Sequence, residues 1–189
     1  MQFAAYIATS LEGYIARVDG SIDWLEQAGL STPQGEDYGY ADFMASVDCL
    51  IMGRATFDMV RTFAEYPYQG KRVIVLSRTL TVVPKGFKDK VELHGSSLTA
   101  LLAKLEHDGH QRAYVDGGKT IQTFIKTGLL DELIITRVPV LIGAGLPLFG
   151  GVDNDVMNDV MLEHLSTRSY ANGFVQSRYW LTRPDARTS

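Results

Sequence analysis

Three apolar runs, each cut off by the same kind of turn, constrain this chain more than any other feature. "CLIM" (Cys49 to Met52) runs into Gly53-Arg54-Ala55-Thr56, and "VIVL" (Val73 to Leu76) into Ser77-Arg78-Thr79. "AYV" (Ala113 to Val115) runs into Asp116-Gly117-Gly118-Lys119-Thr120. Short continuous apolar runs suit strands buried on both faces, as in a parallel sheet covered by helices. Between them, apolar residues recur at helical spacing. Tyr40, Phe43, Met44 and Val47 make one stripe, and Leu98, Leu101, Leu102 and Leu105 another. Ile121, Phe124 and Ile125 make a further one that ends by Gly128, and a short helix is expected near Thr56 to Arg61. Ser96 or Ser97 can cap the leucine helix and Gly109 can stop it. The alternation predicts an α/β fold with a mostly parallel sheet.

The two ends of the chain modify that picture. "FAAYIAT" (Phe3 to Thr9) reads as a first strand, and "VEL" (Val91 to Leu93) as a weaker one. Leu11 to Gly35 reads as a long functional loop or a set of short turns, with Trp24-Leu25 as an apolar island. "ELIITRVPVLIG" (Glu132 to Gly143) reads as one long strand in which Pro139 marks an edge or bulge. Met161 to Leu181 reads as two strands joined around Asn172-Gly173, a strong hairpin signal. The sheet should therefore be mixed, closed by antiparallel strands. The length, 189 residues, predicts one domain over residues 1–182 with a short tail, 183–189.

Composition excludes several function classes. A net charge of -4 argues against a broad nucleic-acid footprint, so any anion must be held by a local cluster. Cys49, the one cysteine, rules out an internal disulfide and a cysteine-rich zinc site. No apolar run reaches the ~18 residues that span a bilayer. The start lacks a basic leader segment, so a cytoplasmic protein with no membrane partner is expected. His107 and His110 stand three apart near a helix end; a solvated terminus accounts for them, and no metal is predicted.

The turns carry the chemistry. In open α/β sheets, ligands bind beyond the carboxyl ends of the strands. Glycine lets a ligand approach the backbone, a helix start offers free amides to an anion, and arginine presents a fork suited to phosphate oxygens. Any one of these turns is ordinary; three at one sheet edge suggest a shared anionic ligand. The third turn suits a pyrophosphate and the two arginine turns a more remote phosphate. An NAD-specific site would place an acid where this chain has Ser77-Arg78, with Arg54 able to join. Two cations and two hydroxyls fit a 2′-phosphate, which favours NADP(H). A P-loop fails because its first glycine would fall at Ala113, and "IGAGLPLFGG" (Ile142 to Gly151) lacks the third glycine of a dinucleotide fingerprint.

With "SLEGYIA" (Ser10 to Ala16), "DGSIDWL" (Asp19 to Leu25), "IMGRATFD", "VLSR", "DGGKT" and "DELIITRVPVLIGAGLPLF" in this order, the chain resembles the dihydrofolate reductase-like superfamily. Within it, the chain is most similar to the C-terminal reductase domain of the bifunctional riboflavin-biosynthesis protein RibD. The resemblance implies an eight-stranded mixed sheet, NADPH along its carboxyl edge, and a homodimer. It implies that Ala8 and Ile15 border the nicotinamide amide, and that Gly53, Arg54, Ala55 and Thr56 take phosphate groups. It implies that Leu76, Ser77 and Arg78 flank the adenine and 2′-phosphate, and that Gly117, Gly118, Lys119 and Thr120 hold the diphosphate. The chain departs from folate reductases near the first helix, where Gly39 stands at one estimate of their carboxylate position and Asp37 and Asp42 are the nearest acids. It departs from the riboflavin branch in reading Ser10-Leu11-Glu12-Gly13-Tyr14 where a lysine commonly follows the glycine.

The expected activity is hydride transfer from NADPH to a small pterin-like, pyrimidine-like or carbonyl substrate, as in 5-amino-6-(5-phosphoribosylamino)uracil reductase and dihydrofolate reductase. Asp37 and Glu12 are the candidate catalytic carboxylates, with Asp23 and Tyr14 also considered as proton carriers. Asp37 and Trp24 are the candidate substrate contacts. The alternative is a non-catalytic module that keeps the dinucleotide grip without turnover.

Overall fold

The computed structural model describes residues 1–150 and 159–182; the expected tail, 183–189, lies outside them. In chain order the elements are β1 (Gln2–Thr9), β2 (Tyr14–Ala16), α1 (Asp23–Gly29), α2 (Tyr40–Ala45), β3 (Cys49–Gly53) and α3 (Arg54–Val60). Then follow β4 (Arg72–Leu76), β5 (Glu92–His94), α4 (Leu98–His107), β6 (Arg112–Asp116) and α5 (Gly118–Lys126). The chain closes with β7 (Glu132–Arg137), β8 (Leu146–Pro147), β9 (Leu162–Ser169) and β10 (Val175–Leu181).

Eight strands form one sheet in the order β5-β4-β3-β6-β1-β7-β10-β9. The pairs from β5 through β7 are parallel; β10 runs antiparallel to both β7 and β9. The fold is thus the α/β, dihydrofolate reductase-like, mostly parallel sheet with a C-terminal antiparallel hairpin that the sequence predicts. The hairpin turns where Asn-Gly placed it. Gly173 takes φ 84°, and the Tyr170 N–H donates to the Phe174 carbonyl at 2.9 Å.

The period of two along the strands builds two cores. Phe3 and Ala5 of β1 join Ile51, Val115 and Ile135 against α4 and α5. Ala4 joins Leu50, Met52, Val75 and Tyr114 against α2 and α3. A nine-residue helix such as α5 is marginal alone in water. Burial of Ile121, Phe124 and Ile125, worth roughly 1.5–3 kcal/mol each, is what holds it. Ser97 caps α4 by accepting from the Ala100 N–H at 3.2 Å.

Two expectations need correction. The strand expected over 132–143 stops at Arg137; beyond it the Val138 N–H donates to the Thr9 carbonyl and the chain leaves the sheet at Pro139, which has no N–H to give a ladder. The segment Leu11 to Gly35 is not all loop. Tyr14–Ala16 pairs with Leu146–Pro147 in a separate two-stranded sheet, and Asp23–Gly29 is helical. Trp24 on that helix packs with Val138, Tyr170 and Phe174 in a third apolar cluster. Among the described residues, no helix is long and apolar enough to cross a membrane.

Candidate coenzyme and substrate site

Because β4, β3 and β6 are neighbours in that order, the three turns that follow them lie side by side on the carboxyl edge. They also interlock. A Cβ on Gly53 would sit 2.9 Å from Thr120 Oγ1, and one on Gly117 would overlap Thr56 Oγ1. A Cβ on Gly118 would come within 2.6 Å of Ile15 Cδ1. The first turn is tied to the second where Arg54 Nη1 donates to Thr79 Oγ1 at 2.9 Å. Ser77 Oγ accepts from the Leu80 N–H at 2.9 Å, which shapes the second turn. The segments singled out in the sequence therefore meet.

The electrostatics suit an anion. α5 begins at Gly118, directly after Gly117, whose φ of 90° favours glycine, and no side chain caps its first turn. First-turn amides have no partner within a helix, so these face outward with the positive end of the dipole behind them. Lys119, Arg54 and Arg78 are exposed around this edge. Arg54 also pairs with Asp58 at 3.3 Å, a surface contact worth little in water. Ala8, half-buried, is the last but one residue of the next strand, β1, and Leu76, also half-buried, ends β4.

Ile15 is presented by a clamped loop. Glu12 accepts from the Ile142 N–H at 2.7 Å and the Gly143 N–H at 2.9 Å, and the Leu148 N–H donates to the Gly13 carbonyl at 3.0 Å. Gly145 is required because a Cβ there would overlap the Ala16 carbonyl. The glycine-rich segment after β7 is thus the other half of this clamp. The Ile142, Gly143 and Ser10 hydrogen bonds hold the Glu12 carboxyl below the usual range.

Asp37 stands before α2, exposed, and accepts from the Gly39 and Ala41 N–H groups at 2.9 Å each. Those bonds also keep its carboxyl below the usual range. Both carboxylates are therefore ionised acceptors at neutral pH, suited to holding backbone or a cationic edge. Trp24 is 3% exposed. Its body anchors α1, yet its indole N–H is buried and finds no acceptor among the described residues.

Sequence reasoning included Asp116 in the third turn but gave it no chemical role. It is 8% exposed, at the end of β6. It accepts from the Gly117 N–H at 2.8 Å and from the Tyr68 hydroxyl at 3.3 Å. Burial outweighs those bonds and raises its carboxyl above the ordinary value. Tyr40 beside it is pushed up to about 12, by burial first and the Asp116 charge second. The signal was available: Tyr114 and Asp116 share a face two residues apart, and that face is core. What the sequence could not supply was Tyr68, 48 residues away.

A cleft of about 440 Å³ lies between Ser21, Ile22 and Glu26 on one side and Met59 and Phe63, at and just past the end of α3, on the other; none of the three turns lines it. Among the described residues no three His, Cys, Asp or Glu side chains are arranged to hold a metal ion.

Comparison with known proteins agrees with this geometry. A solved structure, a putative riboflavin biosynthesis protein from Shewanella sp. PV-4, is 41% identical, covers 97% of this chain and 100% of its own, and superposes with a TM-score of 0.87. YwjB of Bacillus subtilis, described as uncharacterised, is 35% identical over 92% of this chain and 94% of its own length. At the level of fold alone, dihydrofolate reductase from Enterococcus faecalis, solved with NADP(H) and RAB-propyl, matches 95% of this chain and 96% of its own with a TM-score of 0.62 at 18% identity. The model of the RibD C-terminal domain matches residues 4–176, which takes in the three turns and the Asn172-Gly173 turn and stops at the second residue of β10. With the fold, the interlocked turns and that match in agreement, this chain belongs to the RibD C-terminal domain family.

Proposed function

We propose that the chain is an NADPH-dependent reductase of a small heterocyclic or carbonyl substrate, acting as one domain. The observation that carries this reading is the interlock of the glycine turns: Gly53 against Thr120, Gly117 against Thr56, Gly118 against Ile15. These close approaches pack the turns as one unit, and the uncapped first-turn amides of α5 beside them offer a diphosphate its donors. Gly117, Gly118, Lys119 and Thr120 hold the diphosphate, with Gly53, Ala55 and Thr56 beside them. Arg54, Ser77 and Arg78 receive the 2′-phosphate, and Leu76 borders the adenine. Ala8 and Ile15 flank the nicotinamide. When bound, the coenzyme supplies a hydride.

The protein supplies position and a proton. A carboxyl group kept neutral by burial can donate a hydrogen bond or a proton to a substrate nitrogen or oxygen. Burial raises the Asp116 carboxyl and so favours its donating form, whereas the Asp37 and Glu12 carboxyls are lowered, so we assign Asp37 and Glu12 to positioning. Asp37, just before α2, and Trp24 of α1 are the proposed substrate contacts. The reading carries with it a small-molecule partner, a cytoplasmic setting and a homodimer; light scattering on the purified chain tests the last.

Fluorescence titration of the chain with NADPH and NADH, followed by NADPH oxidation over a panel of pterins, pyrimidines and carbonyls, tests the reading. Tighter binding of NADPH with turnover of at least one panel member supports it. Tight NADPH binding without any turnover favours the non-catalytic module instead. Equal binding of the two coenzymes rejects the 2′-phosphate assignment.

A further inference from the structure

A second cavity, of about 250 Å³, lies on the α2 side of the sheet over β1, β7, β10 and β9. Its floor follows the strand register. Tyr6 stands beside Ile134, Ile134 beside Arg178, and Arg178 beside Ser166. The next row runs from Thr136 to Gln176 to Arg168. Tyr38 and Tyr170 form one wall, ring centroids 4.8 Å apart. Tyr6 forms the partition on the side of Asp116: its hydroxyl donates to the Tyr38 carbonyl at 2.9 Å and accepts from Gln176 Nε2 at 3.0 Å.

The polar inventory of this cavity is unbalanced. Glu132 is 1% exposed at its side chain and pairs with both Arg112 and Arg178. Arg178 uses only Nε there, so both of its terminal nitrogens lack an acceptor among the described residues. Arg168 reaches Glu36 at 3.7 Å, beyond hydrogen-bond distance, and its guanidinium lies 4.8 Å over the Tyr170 ring. Arg168 and Arg178 are the charged side chains that line the cavity, with Glu132 behind Arg178 and the Glu36 and Asp37 carboxylates near the Tyr170 side. Ser166 adds a hydroxyl with no partner among the described residues. The volume falls below the roughly 300–1,000 Å³ of drug-sized sites, so the occupant has about one ring.

We propose that this cavity is a binding site for a small planar monoanion, a one-ring carboxylate, held by Arg168 and Arg178 with its ring against Tyr38 and Tyr170. A carboxylate matches the planar fork of arginine, and flat rings offer favourable faces to one another. The carboxylates beside these two arginines disfavour a dianion relative to a monoanion. The site stands independently of the coenzyme reading, since none of the glycine turns lines it.

Calorimetric titration of the full chain with benzoate and with its neutral analogue benzamide tests the proposal. Benzoate should bind saturably and benzamide at least ~10-fold more weakly, the worth of a charge-assisted contact. Arg168→Ala and Arg178→Lys should each weaken benzoate by roughly 5- to 30-fold, because the first removes a charge and the second removes the fork. Their NADPH titrations should match the parent. Arg168 is exposed, so its variant keeps the fold even where Arg178→Lys loosens Glu132. Equal binding of benzoate and benzamide overturns the proposal. So does unchanged benzoate affinity in Arg168→Ala, displacement of benzoate by NADPH, or no benzoate binding at millimolar concentration.

Discussion

Thr56 Oγ1 fills the space that a side chain on Gly117 would need, so the turn after β3 and the turn after β6 pack as one unit. Gly117→Ala should therefore harm both stability and coenzyme binding. The residue sits at φ 90°, where a Cβ is strained, and the new methyl meets Thr56. Together these should cost about 1–3 kcal/mol, or roughly 2–4 °C of melting temperature per kcal/mol for a chain of this size. Thr56→Ala in the same chain removes the overlapping oxygen and should recover part of the loss, read from a thermal double-mutant cycle. Strict additivity of the two changes would show that the turns do not touch.

Gly118→Ala separates a different effect. Its new methyl meets only the tip of Ile15, which can rotate away. Stability should change by less than in Gly117→Ala, while NADPH affinity falls because the methyl displaces Ile15, the residue proposed to flank the nicotinamide. Melting curves and NADPH titrations on both variants check the contrast.

Arg54→Ala and Arg78→Ala should each weaken NADPH by about 10- to 100-fold, the worth of one charge-assisted hydrogen bond to phosphate. NADH should lose far less. Arg54 already bonds Thr79, so its removal also loosens the second turn, and Arg78, whose side chain makes no hydrogen bond among the described residues, gives the cleaner measurement. Equal losses for the two coenzymes would reject the 2′-phosphate assignment.

Much of this arrangement was legible from the residues, for reasons that differ by element. "CLIM", "VIVL" and "AYV" became β3, β4 and β6 because an apolar run buried on both faces has few alternatives, and their glycine and arginine ends fell at one edge because parallel strands share an end. Asn172-Gly173 fixed the hairpin locally. By contrast, Tyr14–Ala16 is a strand only because Leu146–Pro147, about 130 positions later, pairs with it. No local pattern encodes such a partner. Glu12 reads as a solvated loop acid until the Ile142 and Gly143 amides close on it. Asp116 looked like part of a phosphate turn because its burial comes from Tyr68 and the α2 side of the core.

Asp116 gives a pH signature. Its carboxyl is raised in the folded chain, so the neutral form is favoured there. The stability tied to it is fully present below the ordinary aspartate value and is lost as pH rises through the raised one. Asp116→Asn, neutral at every pH, should flatten that part of the stability profile measured by denaturant melts. If Asp116 carries the proton, wild-type turnover should fall as pH rises through the same window. The variant should then lose about 10²- to 10⁴-fold in rate with NADPH affinity kept.

Glu12 has the opposite sign. Its carboxyl is lowered by the Ile142 and Gly143 amides, so its clamp on the first loop is present above the ordinary glutamate value and is lost as pH falls through the lowered one. Glu12→Gln keeps one acceptor oxygen where the carboxylate uses two. Hydrogen exchange at the Ile142 and Gly143 amides should speed up in the variant. Measured as a protection factor, which removes the intrinsic pH dependence of exchange, the same loss should appear in the parent at low pH, and the two effects should not add. An unchanged exchange rate at both amides would remove the clamp from the account.

Trp24 can be tested for two roles at once. Its ring is buried among Val138, Tyr170 and Phe174, while its indole N–H has no acceptor among the described residues. A buried donor left unpaired costs about 1–3 kcal/mol. Trp24→Phe removes that cost while giving up part of the packed ring, two effects of opposite sign and similar size. The melting temperature should therefore shift little. If the N–H exists to meet the substrate, kcat/KM should fall by about 10-fold or more, because a donor aimed at a bound heterocycle is worth at least one hydrogen bond. Trp24→Leu, which empties more of the cluster, should instead lower the melting temperature clearly. Loss of activity without loss of stability in Trp24→Phe, against loss of both in Trp24→Leu, separates substrate contact from anchoring. Parallel losses in the two variants leave Trp24 as an anchor alone.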